Sequence, residues 1–280
     1  MPTYDIPMLN YTSKPIDTTI PLASNQNYQS NSASNRQKTN LFQTTNLKIG
    51  SLNCRSLALT SYPSTRRKFT RYFRSLKYDL ISFQEVRTKD SNILDSLNME
   101  LQAKDSIWTQ HVGIVNFNPN IRITPIFITH TKHAVFVQVH HINHHLEPIF
   151  LLNLYAPSQP SPKKQFYNDI IELPLFKDET DIAYFTKYSN FMITGDFNYH
   201  HYTSYRSSNS PSPHPIISWK QIISQHLYDC INSDDSGKFT HNHRLYFASL
   251  TIKASITTSG VNFINTDWTD HALLSIDLVL

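Results

Sequence analysis

The chain has 280 residues, a formal net charge of +4 and a sequence pI near 8.9. Layered sandwiches of more than ~200 residues often form one domain, and a slight basic excess suits a polyanionic partner without requiring one. Its two cysteines, Cys54 and Cys230, are too few for a disulfide framework and lack zinc-site spacing, and no run approaches the ~18 apolar residues of a membrane span. We therefore expect an intracellular protein, for which the nucleus is a compatible location.

The segment from Met1 to Thr45 is predicted to be a disordered polar leader. Asn, Ser, Thr and Gln dominate it, so it has too few apolar side chains to offset the entropy lost by an ordered chain. It also lacks the basic start and the apolar core of a secretory signal. The folded domain is therefore expected to cover residues 46–280.

The next element is a predicted strand from Leu47 to Asn53, in which apolar and polar residues alternate. Its final residue, Asn53, is a candidate ligand for a metal ion or for a phosphate oxygen. Asparagine at the end of a strand is more often a turn residue, so this assignment needs support from other parts of the chain.

A basic amphipathic helix is predicted after this strand. Its apolar residues recur at the i, i+3, i+4 and i+7 spacing of a buried helix face. These residues are Phe69, Tyr72, Phe73 and Leu76. The basic residues of the segment are Arg66, Arg67, Lys68, Arg71, Arg74 and Lys77. They form either a solvated face or a surface that borders the path of a nucleic acid, and the four arginines are the candidate contacts.

A second strand is predicted from Asp79 to Glu85, where Ile81 and Phe83 alternate with smaller or polar residues. This alternation would place Glu85 on the face of the strand that is otherwise buried. A buried carboxylate needs a partner, and a hard divalent cation such as Mg²⁺ (or Mn²⁺) is one. Glu85 is therefore a candidate metal ligand.

Histidine pairs in the middle of the chain are predicted to lie at the tip of a hairpin. His140-His141 and His144-His145 stand between two apolar strands, Ala134 to Val139 and Pro148 to Tyr155. A solvated turn explains these histidines more simply than a metal site does.

A central strand is predicted from Phe191 to Thr194, and Gly195 then allows a tight turn before two polar side chains, Asp196 and Asn198. Ligand crevices of layered α/β structures open at the ends of strands, so Asp196 is a candidate base for activating water. The alternative is an Asx-turn, in which Asp196 and Asn198 only cap their own backbone.

The loop after this motif, from Tyr199 to Ser212, is polar, aromatic and interrupted by proline. Such a composition is typical of a variable DNA-reading loop, although an exposed linker has a similar composition. His200 and His201 directly follow the Asp196 motif and are candidates to line a substrate groove.

Two further helices and a final strand complete the expected alternation of elements. The apolar residues that mark the helices are Phe166, Ile170 and Leu173 in the first and Ile216, Trp219, Ile223 and Leu227 in the second. The final strand is predicted from Ala272 to Leu280, directly after Asp270-His271. His271 is a candidate partner for the charge that builds on a phosphoryl group in a transition state.

Five short motifs, taken in chain order, resemble the endonuclease/exonuclease/phosphatase superfamily. They are Asn53, Gln84-Glu85, Tyr155-Ala156-Pro157, Gly195-Asp196-Phe197-Asn198 and Asp270-His271. Segments 151–158 and 269–278 are most similar to the endonuclease domains of LINE-type retrotransposons. The resemblance spans residues 47–280 and implies the DNase-I-like fold, an α/β protein built as a four-layer α/β/β/α sandwich. It also implies a Mg²⁺-dependent (or Mn²⁺-dependent) endonuclease that nicks DNA.

The resemblance also implies roles around a metal ion and an attacking water. Glu85 would be the main metal ligand with Asn53 nearby, and Asp196 would orient or deprotonate the water. Asp270 would assist the metal or the leaving group.

Three further residues would, by the same resemblance, contact the substrate. Tyr155 and Asn198 would hold the scissile phosphate, and His271 would contact it as well. These roles agree with general chemistry, since preorganised donors stabilise a phosphoryl transition state better than mobile solvent does.

One departure from the family pattern concerns the orientation of His271. The family carries a strand of the type Arg-Ile-Asp-Tyr-Ile, whose aspartate pairs with the catalytic histidine. Here Arg244 is followed directly by Leu-Tyr, as if an Ile-Asp pair had dropped out, and no Asp or Glu occurs from 240 to 266. In the serine-protease template, loss of the orienting carboxylate costs about 10⁴ in rate. His271 would then be poorly held unless Asp267 or Asp235 lies beside it.

Two alternatives to a DNA-nicking enzyme remain open. One is a hydrolase of small phosphoesters such as a phosphoinositide, against which the Tyr-Ala-Pro segment and the lack of membrane features argue. The other is a non-catalytic relic of the fold, for which the missing aspartate argues. DNA is the expected partner, and neither a membrane nor an obligate protein partner is indicated.

Overall fold

The computed structural model describes residues 45–57, 63–88, 90–142, 146–176, 188–199, 215–231 and 244–280. The predicted leader therefore lies outside the described residues except for Thr45, and so do His200, His201 and Asp235. All the elements below belong to one compact unit, Gln43–Leu280. Both cysteines in it are buried, and neither forms a disulfide.

The strands form two mixed sheets. In the first sheet the order is β11-β12-β1-β2-β4-β3. Its strands are β1 (Asn46–Asn53), β2 (Leu80–Gln84), β3 (Asp105–Trp108), β4 (Val112–Asn116), β11 (Ile256–Phe263) and β12 (Ala272–Val279). In the second sheet the order is β5-β6-β7-β8-β10-β9. Its strands are β5 (Ile121–Ile128), β6 (Ala134–His141), β7 (Ile149–Tyr155), β8 (Phe191–Asp196), β9 (Tyr228–Asp229) and β10 (Arg244–Ala248).

Within the described ranges, four helices lie on the outer faces of the two sheets, whereas Ile252 of a short fifth helix packs into the core between the sheets. The outer helices are α1 (Pro63–Ser75), α2 (Ser91–Leu101), α3 (Pro160–Ile171) and α4 (Pro215–His226), and the short fifth helix is α5 (Leu250–Ser255). Each of the three predicted helices is present, although Leu173 and Leu227 lie just beyond the ends of α3 and α4. None of the helices in the described part of the chain is long and apolar enough to cross a membrane.

Three apolar cores separate the layers of the molecule. The core between the first sheet and its helices contains Phe69 and Phe73 of α1 packed with Phe83. The core between the second sheet and its helices contains Tyr167 of α3 and Trp219 of α4. The third core lies between the two sheets and consists of aliphatic side chains, which include Ile49, Leu80, Val137, Leu151 and Ile276. The layers therefore follow the predicted α/β/β/α order.

The two strands predicted around the histidine pairs form a hairpin, but His140 and His141 belong to β6 itself and do not lie at its tip. β6 and β7 pair antiparallel, with Val139 opposite Ile149. His140 and His141 end β6, and the tip at residues 143–145 lies outside the described residues.

Two parallel pairs of strands determine where polar side chains collect. β1 is parallel to β2 in the first sheet, and β7 is parallel to β8 in the second. The layer between the sheets is apolar along most of these strands but becomes polar near their carboxyl ends. The buried polar residues there are Ser51, Ser82, Gln84, Asn153 and Thr194. The structure thus brings the polar ends of four strands to one edge.

Asn153 links the two sheets within this polar part of the layer. Its Oδ1 accepts a hydrogen bond from Gln84 Nε2 (2.8 Å), and its Nδ2 donates to the carbonyl oxygens of Phe83 (3.0 Å) and Gly113 (2.9 Å). Because Asn153 is fully buried, no water can replace these bonds.

The change Asn153→Leu is expected to lower the free energy of unfolding by roughly 2–4 kcal/mol, because it leaves buried polar groups unpaired. Urea denaturation would measure the change. The exposed Asn120 provides a matched control, and Asn120→Leu should shift the free energy of unfolding by less than ~0.5 kcal/mol. Equal effects of the two substitutions would show that the Asn153 bonds do not stabilise the sheet packing.

Candidate active site

The candidate site lies where the strands of the two parallel pairs end. β1 ends at Asn53, β2 at Gln84, β7 at Tyr155 and β8 at Asp196. Asn53 and Asp196 meet across the two sheets, since Asn53 Nδ2 donates to Asp196 Oδ2 over 2.7 Å. The structure therefore brings together motifs that lie 143 residues apart in the chain.

Asp196 is held in a fixed orientation by two hydrogen bonds. The side chain is only 2% exposed. Oδ2 accepts the bond from Asn53, and Oδ1 accepts a bond from the backbone N–H of Asn198 (3.1 Å). The second bond forms an Asx-turn. The sequence left two alternatives for Asp196, a backbone-capping turn residue or a functional carboxylate at the strand end, and the structure combines both. One oxygen maintains the turn while the other faces the first sheet.

Gly195 fits the turn because a side chain at this position would collide with β7. A Cβ atom added there would lie 2.2 Å from the carbonyl oxygen of Leu154, and the φ angle is +157°. A backbone atom cannot move away as a flexible side chain can. The close approach of β7 and β8 beside Asp196 therefore requires glycine.

The change Gly195→Ala is expected to lower the melting temperature by several degrees, because β7 and β8 would have to separate. Differential scanning calorimetry would measure this. Gly260→Ala is the control, since a Cβ there would lie 3.2 Å from the hydroxyl of Ser275 and could be accommodated. A melting temperature that falls no further for Gly195→Ala than for Gly260→Ala would contradict the prediction.

Glu85 directly follows the last residue of β2, so the prediction that it ends the strand is wrong by one residue. β2 ends at Gln84, whose side chain is buried between the sheets, while Ile81 and Phe83 face the helices. Glu85 has a left-handed backbone, with φ of 57°, and this breaks the alternation. Its carboxylate is largely buried and forms an ion pair with Arg87.

Tyr155 lies close to the carboxylates of the site. The pKa of its phenol is raised to about 12, chiefly by burial and then by the negative charges of Glu85 and Asp196, while the positive charge of Arg87 and a hydrogen bond from it act in the opposite direction. The phenol is therefore protonated at neutral pH and can donate a hydrogen bond to an anion.

The Thr269-Asp270-His271 segment is attached to the end of β1. Thr269 Oγ1 donates to the carbonyl oxygen of Asn53 (2.9 Å) and accepts from the backbone N–H of His271 (3.2 Å). His271 Nε2 lies 3.4 Å from Asp270 Oδ1, and Arg55 lies 3.9 Å from the same oxygen. The buried hydroxyl of Thr269 thus fixes the backbone beside the histidine.

The carboxylate that pairs with His271 in the described residues is Asp270. Asp267 does not supply this carboxylate, because it is exposed and its backbone N–H donates to Asn265 Oδ1 (2.9 Å). The strand that begins at Arg244 does not supply it either, because it contains no Asp or Glu. Asp270 is itself 66% exposed, so solvent screens its pairing with the imidazole. The segment with the missing aspartate forms β10, in which Arg244 is in register with Asp196.

Asn198 stabilises the turn that follows β8. Its backbone has a left-handed φ of 49°, and its Nδ2 donates to the carbonyl oxygen of Ala156 over 2.5 Å. Lys163 Nζ donates to the carbonyl oxygen of Asn198 (2.7 Å). The second N–H of this side-chain amide remains available to donate to a phosphate oxygen. The expected contact of Asn198 with a phosphate stays a prediction.

Three cations near the site were missed by the sequence analysis: Arg55, Arg87 and Lys163. Arg55 follows Asn53 by two residues and Arg87 follows Glu85 by two, and both have left-handed φ angles, of 46° and 57°. The sequence held one weak signal, since an arginine follows each of the two candidate metal ligands, Asn53 and Glu85, by two residues. Lys163 lies in the first turn of α3, where burial lowers its pKa and Asp196 opposes that effect.

The arginines of α1 are not equivalent. Arg66 is only 12% exposed and pairs with Glu100 of α2 (2.8 Å), so its guanidinium holds two helices together. A contact of Arg66 with a nucleic acid would have to compete with this ion pair and stays a prediction. Arg67 and Arg71 are exposed and Arg74 is partly exposed, and their contact with DNA stays a prediction.

Solved structures share this architecture at low sequence identity. An AP endonuclease from Archaeoglobus fulgidus matches with a TM-score of 0.56 and 12% identity, over 82% of this chain and 98% of that chain. A 3' phosphatase, NExo, from Neisseria, bound to product DNA hairpin, matches with a TM-score of 0.55 and 13% identity, over 83% and 99%. The endonuclease domain of TRAS1, a telomere-specific non-LTR retrotransposon, matches with a TM-score of 0.52 and 12% identity, over 84% and 98%.

These likenesses establish the fold. The chain is a DNase-I-like sandwich, as its resemblance to the endonuclease/exonuclease/phosphatase superfamily implied. No protein-family model matches the sequence, and no curated protein does so either.

Proposed function

We propose that the chain is a divalent-metal-dependent phosphodiesterase that nicks DNA, in the manner of retrotransposon endonucleases. The observation that carries the proposal is the buried Asp196 carboxylate, fixed by Asn53 and by the turn at Asn198, with Glu85 and Tyr155 beside it. A carboxylate held in this way at the ends of the strands can accept a proton from water. The fold is shared with solved nucleases and a phosphatase, which supports the same class of reaction.

The donor chemistry of the site fits Mg²⁺ or Mn²⁺. Glu85 and Asn53 offer hard oxygen atoms, which these ions prefer. Within the described residues no group of three or more His, Cys, Asp or Glu is placed to hold a metal, so the ion would depend on one carboxylate, the amide and water molecules. Arg87 would have to release one oxygen of Glu85. The bound ion would offset the charge of the phosphate.

Three residues of the chain would then have separate roles in hydrolysis. Asp196 would take a proton from the attacking water. The oxygen of that water would bond to phosphorus while the bond from phosphorus to the leaving oxygen breaks. Tyr155, neutral because of its raised pKa, would donate to a non-bridging oxygen. Protonated His271 would balance charge on the phosphoryl group.

A plasmid-nicking assay in Mg²⁺ and in EDTA tests the proposal, with a phosphoinositide-release assay run beside it. Mg²⁺-dependent conversion of supercoiled to open-circular plasmid is the expected result. Release of phosphate from the lipid headgroup without nicking would favour the small-phosphoester alternative. Activity on neither substrate would favour the non-catalytic relic.

The change Tyr155→Phe should lower the nicking rate about fivefold, the effect of roughly 1 kcal/mol from one hydrogen bond. Because the pKa of the phenol is raised to about 12, the group stays protonated well above its ordinary titration range. The ratio of parent to variant rates should therefore stay constant as the pH rises from about 7 to about 10. A ratio that falls towards one in this interval would show that the phenol ionises there.

A further inference from the structure

Phe263 is an exposed aromatic side chain beside the candidate site. It ends β11 and is 70% exposed. Val261, two residues earlier, packs against the core between the sheets, so Phe263 lies on the same face of the strand. Its partner across the sheet is Ala272, which directly follows His271. Phe263 therefore faces the side of the sheet on which the site opens.

The strand register places Phe263 in the same row as Asn53. In the pairing of β1 with β12, the last register pair is Ser51 opposite Leu274, and the same register continued by two residues brings Asn53 level with Ala272. β11 lies on the other side of β12, with Phe263 opposite Ala272. Adjacent strands are about 4.8 Å apart, so the backbones of Phe263 and Asn53 are about 10 Å apart.

A cation lies next to Asn53 at the site. Arg55 follows Asn53 by two residues, and its backbone N–H donates to Asn53 Oδ1 (3.0 Å). Its guanidinium is exposed and reaches Asp270 only at 3.9 Å, so it is available to a phosphate. Grooves that bind single strands combine such a cation with an aromatic ring, because the backbone is anionic and each base has a flat face.

We infer that Phe263 stacks on an unpaired or splayed base of the DNA strand, within about three nucleotides of the scissile phosphate. The inference rests on the proposed DNA-nicking function and specifies its substrate as a strand with a locally opened base. Single exposed apolar side chains are common on protein surfaces, and Met99 on α2 is one of them at 74% exposed. Phe263 differs because the strand register carries it to the row of Asn53, and the exposed Arg55 follows Asn53 by two residues.

Binding of labelled oligonucleotides in EDTA, where no cleavage is expected, tests this inference by fluorescence anisotropy. Phe263→Ala should weaken binding about tenfold, whereas Phe263→Trp should retain it, because a base–aromatic stack contributes roughly 1–3 kcal/mol. A series of oligonucleotides, each with one abasic residue, then locates the base. At one position the abasic residue should weaken binding by the parent protein about tenfold, as Phe263→Ala does. The same abasic residue should not weaken binding by Phe263→Ala any further.

Met99→Ala serves as the matched control and should bind all oligonucleotides as the parent does. If Phe263→Ala binds within twofold of a parent that nicks and binds DNA, the inference is wrong while the proposed function stands. A tenfold loss that is the same at every abasic position also overturns it, because the ring then contacts no particular base. A parent that neither binds nor nicks DNA overturns the proposed function and the inference together.

Discussion

Glu85→Ala and Asp196→Ala should each lower Mg²⁺-dependent plasmid nicking at least ~100-fold. Asp196 is the carboxylate that the site holds most rigidly, through Asn53 and the Asn198 turn. Glu85 offers hard oxygen ligands at the same edge. Both substitutions remove a charged group from the reaction and leave the three apolar cores unchanged, so the circular dichroism spectrum should be preserved.

Glu147→Ala provides the control for these two variants. Glu147 is exposed and lies before β7, whereas Tyr155 ends that strand, so the two residues are separated by about 20 Å. Its nicking rate should equal that of the parent. A folded Glu85→Ala protein that nicks as fast as Glu147→Ala would show that the metal assignment is wrong.

Restoring the missing aspartate should raise activity at least tenfold, and by as much as the ~10⁴ that an orienting carboxylate contributes in the serine-protease template. The variant inserts Ile-Asp between Arg244 and Leu245. If the pairing of Leu245 with Gly195 is kept, the new aspartate takes the register position opposite Asp196. Two inserted residues preserve the alternation of faces along the strand.

An Ile-Asn insertion is the matched control, because its amide cannot stabilise the imidazolium of His271. It should fold as the Ile-Asp variant does but gain little rate. Equal nicking by the native chain and both insertion variants would mean that Asp270, 3.4 Å from His271 Nε2, already orients the imidazole.

Regular patterns made most of the fold predictable from the sequence. The alternation of apolar residues placed β1, and the helical spacing of Phe69 and Phe73 placed α1, because burial on one face imposes a period on the chain. Continuous apolar runs placed β7 and β8. The positions of Asn53 and Asp196 followed from where these strands end. Their contact could not be derived from local pattern, since it depends on how two sheets pack.

The remaining features depend on backbone turns and on partners distant in sequence. The left-handed conformation of Glu85 reversed the face expected from alternation, because the period of a strand holds only while the strand continues. Arg66 looked like the other arginines of α1, yet Glu100 of α2 neutralises it. A helical spacing indicates which residues face outwards but not which of them meet a second helix.

Four of the described residues around the site have a left-handed backbone conformation that costs stability, so substitutions that stabilise the protein could remove side chains from the site. Arg55, Glu85, Arg87 and Asn198 all have φ between 46° and 57°. A side chain in this region costs about 1–2 kcal/mol, and glycine relieves most of that cost. Laboratory selection for heat resistance alone should therefore favour glycine at Arg55 and Arg87, and under the proposed function such stabilised descendants should bind DNA less well than the parent.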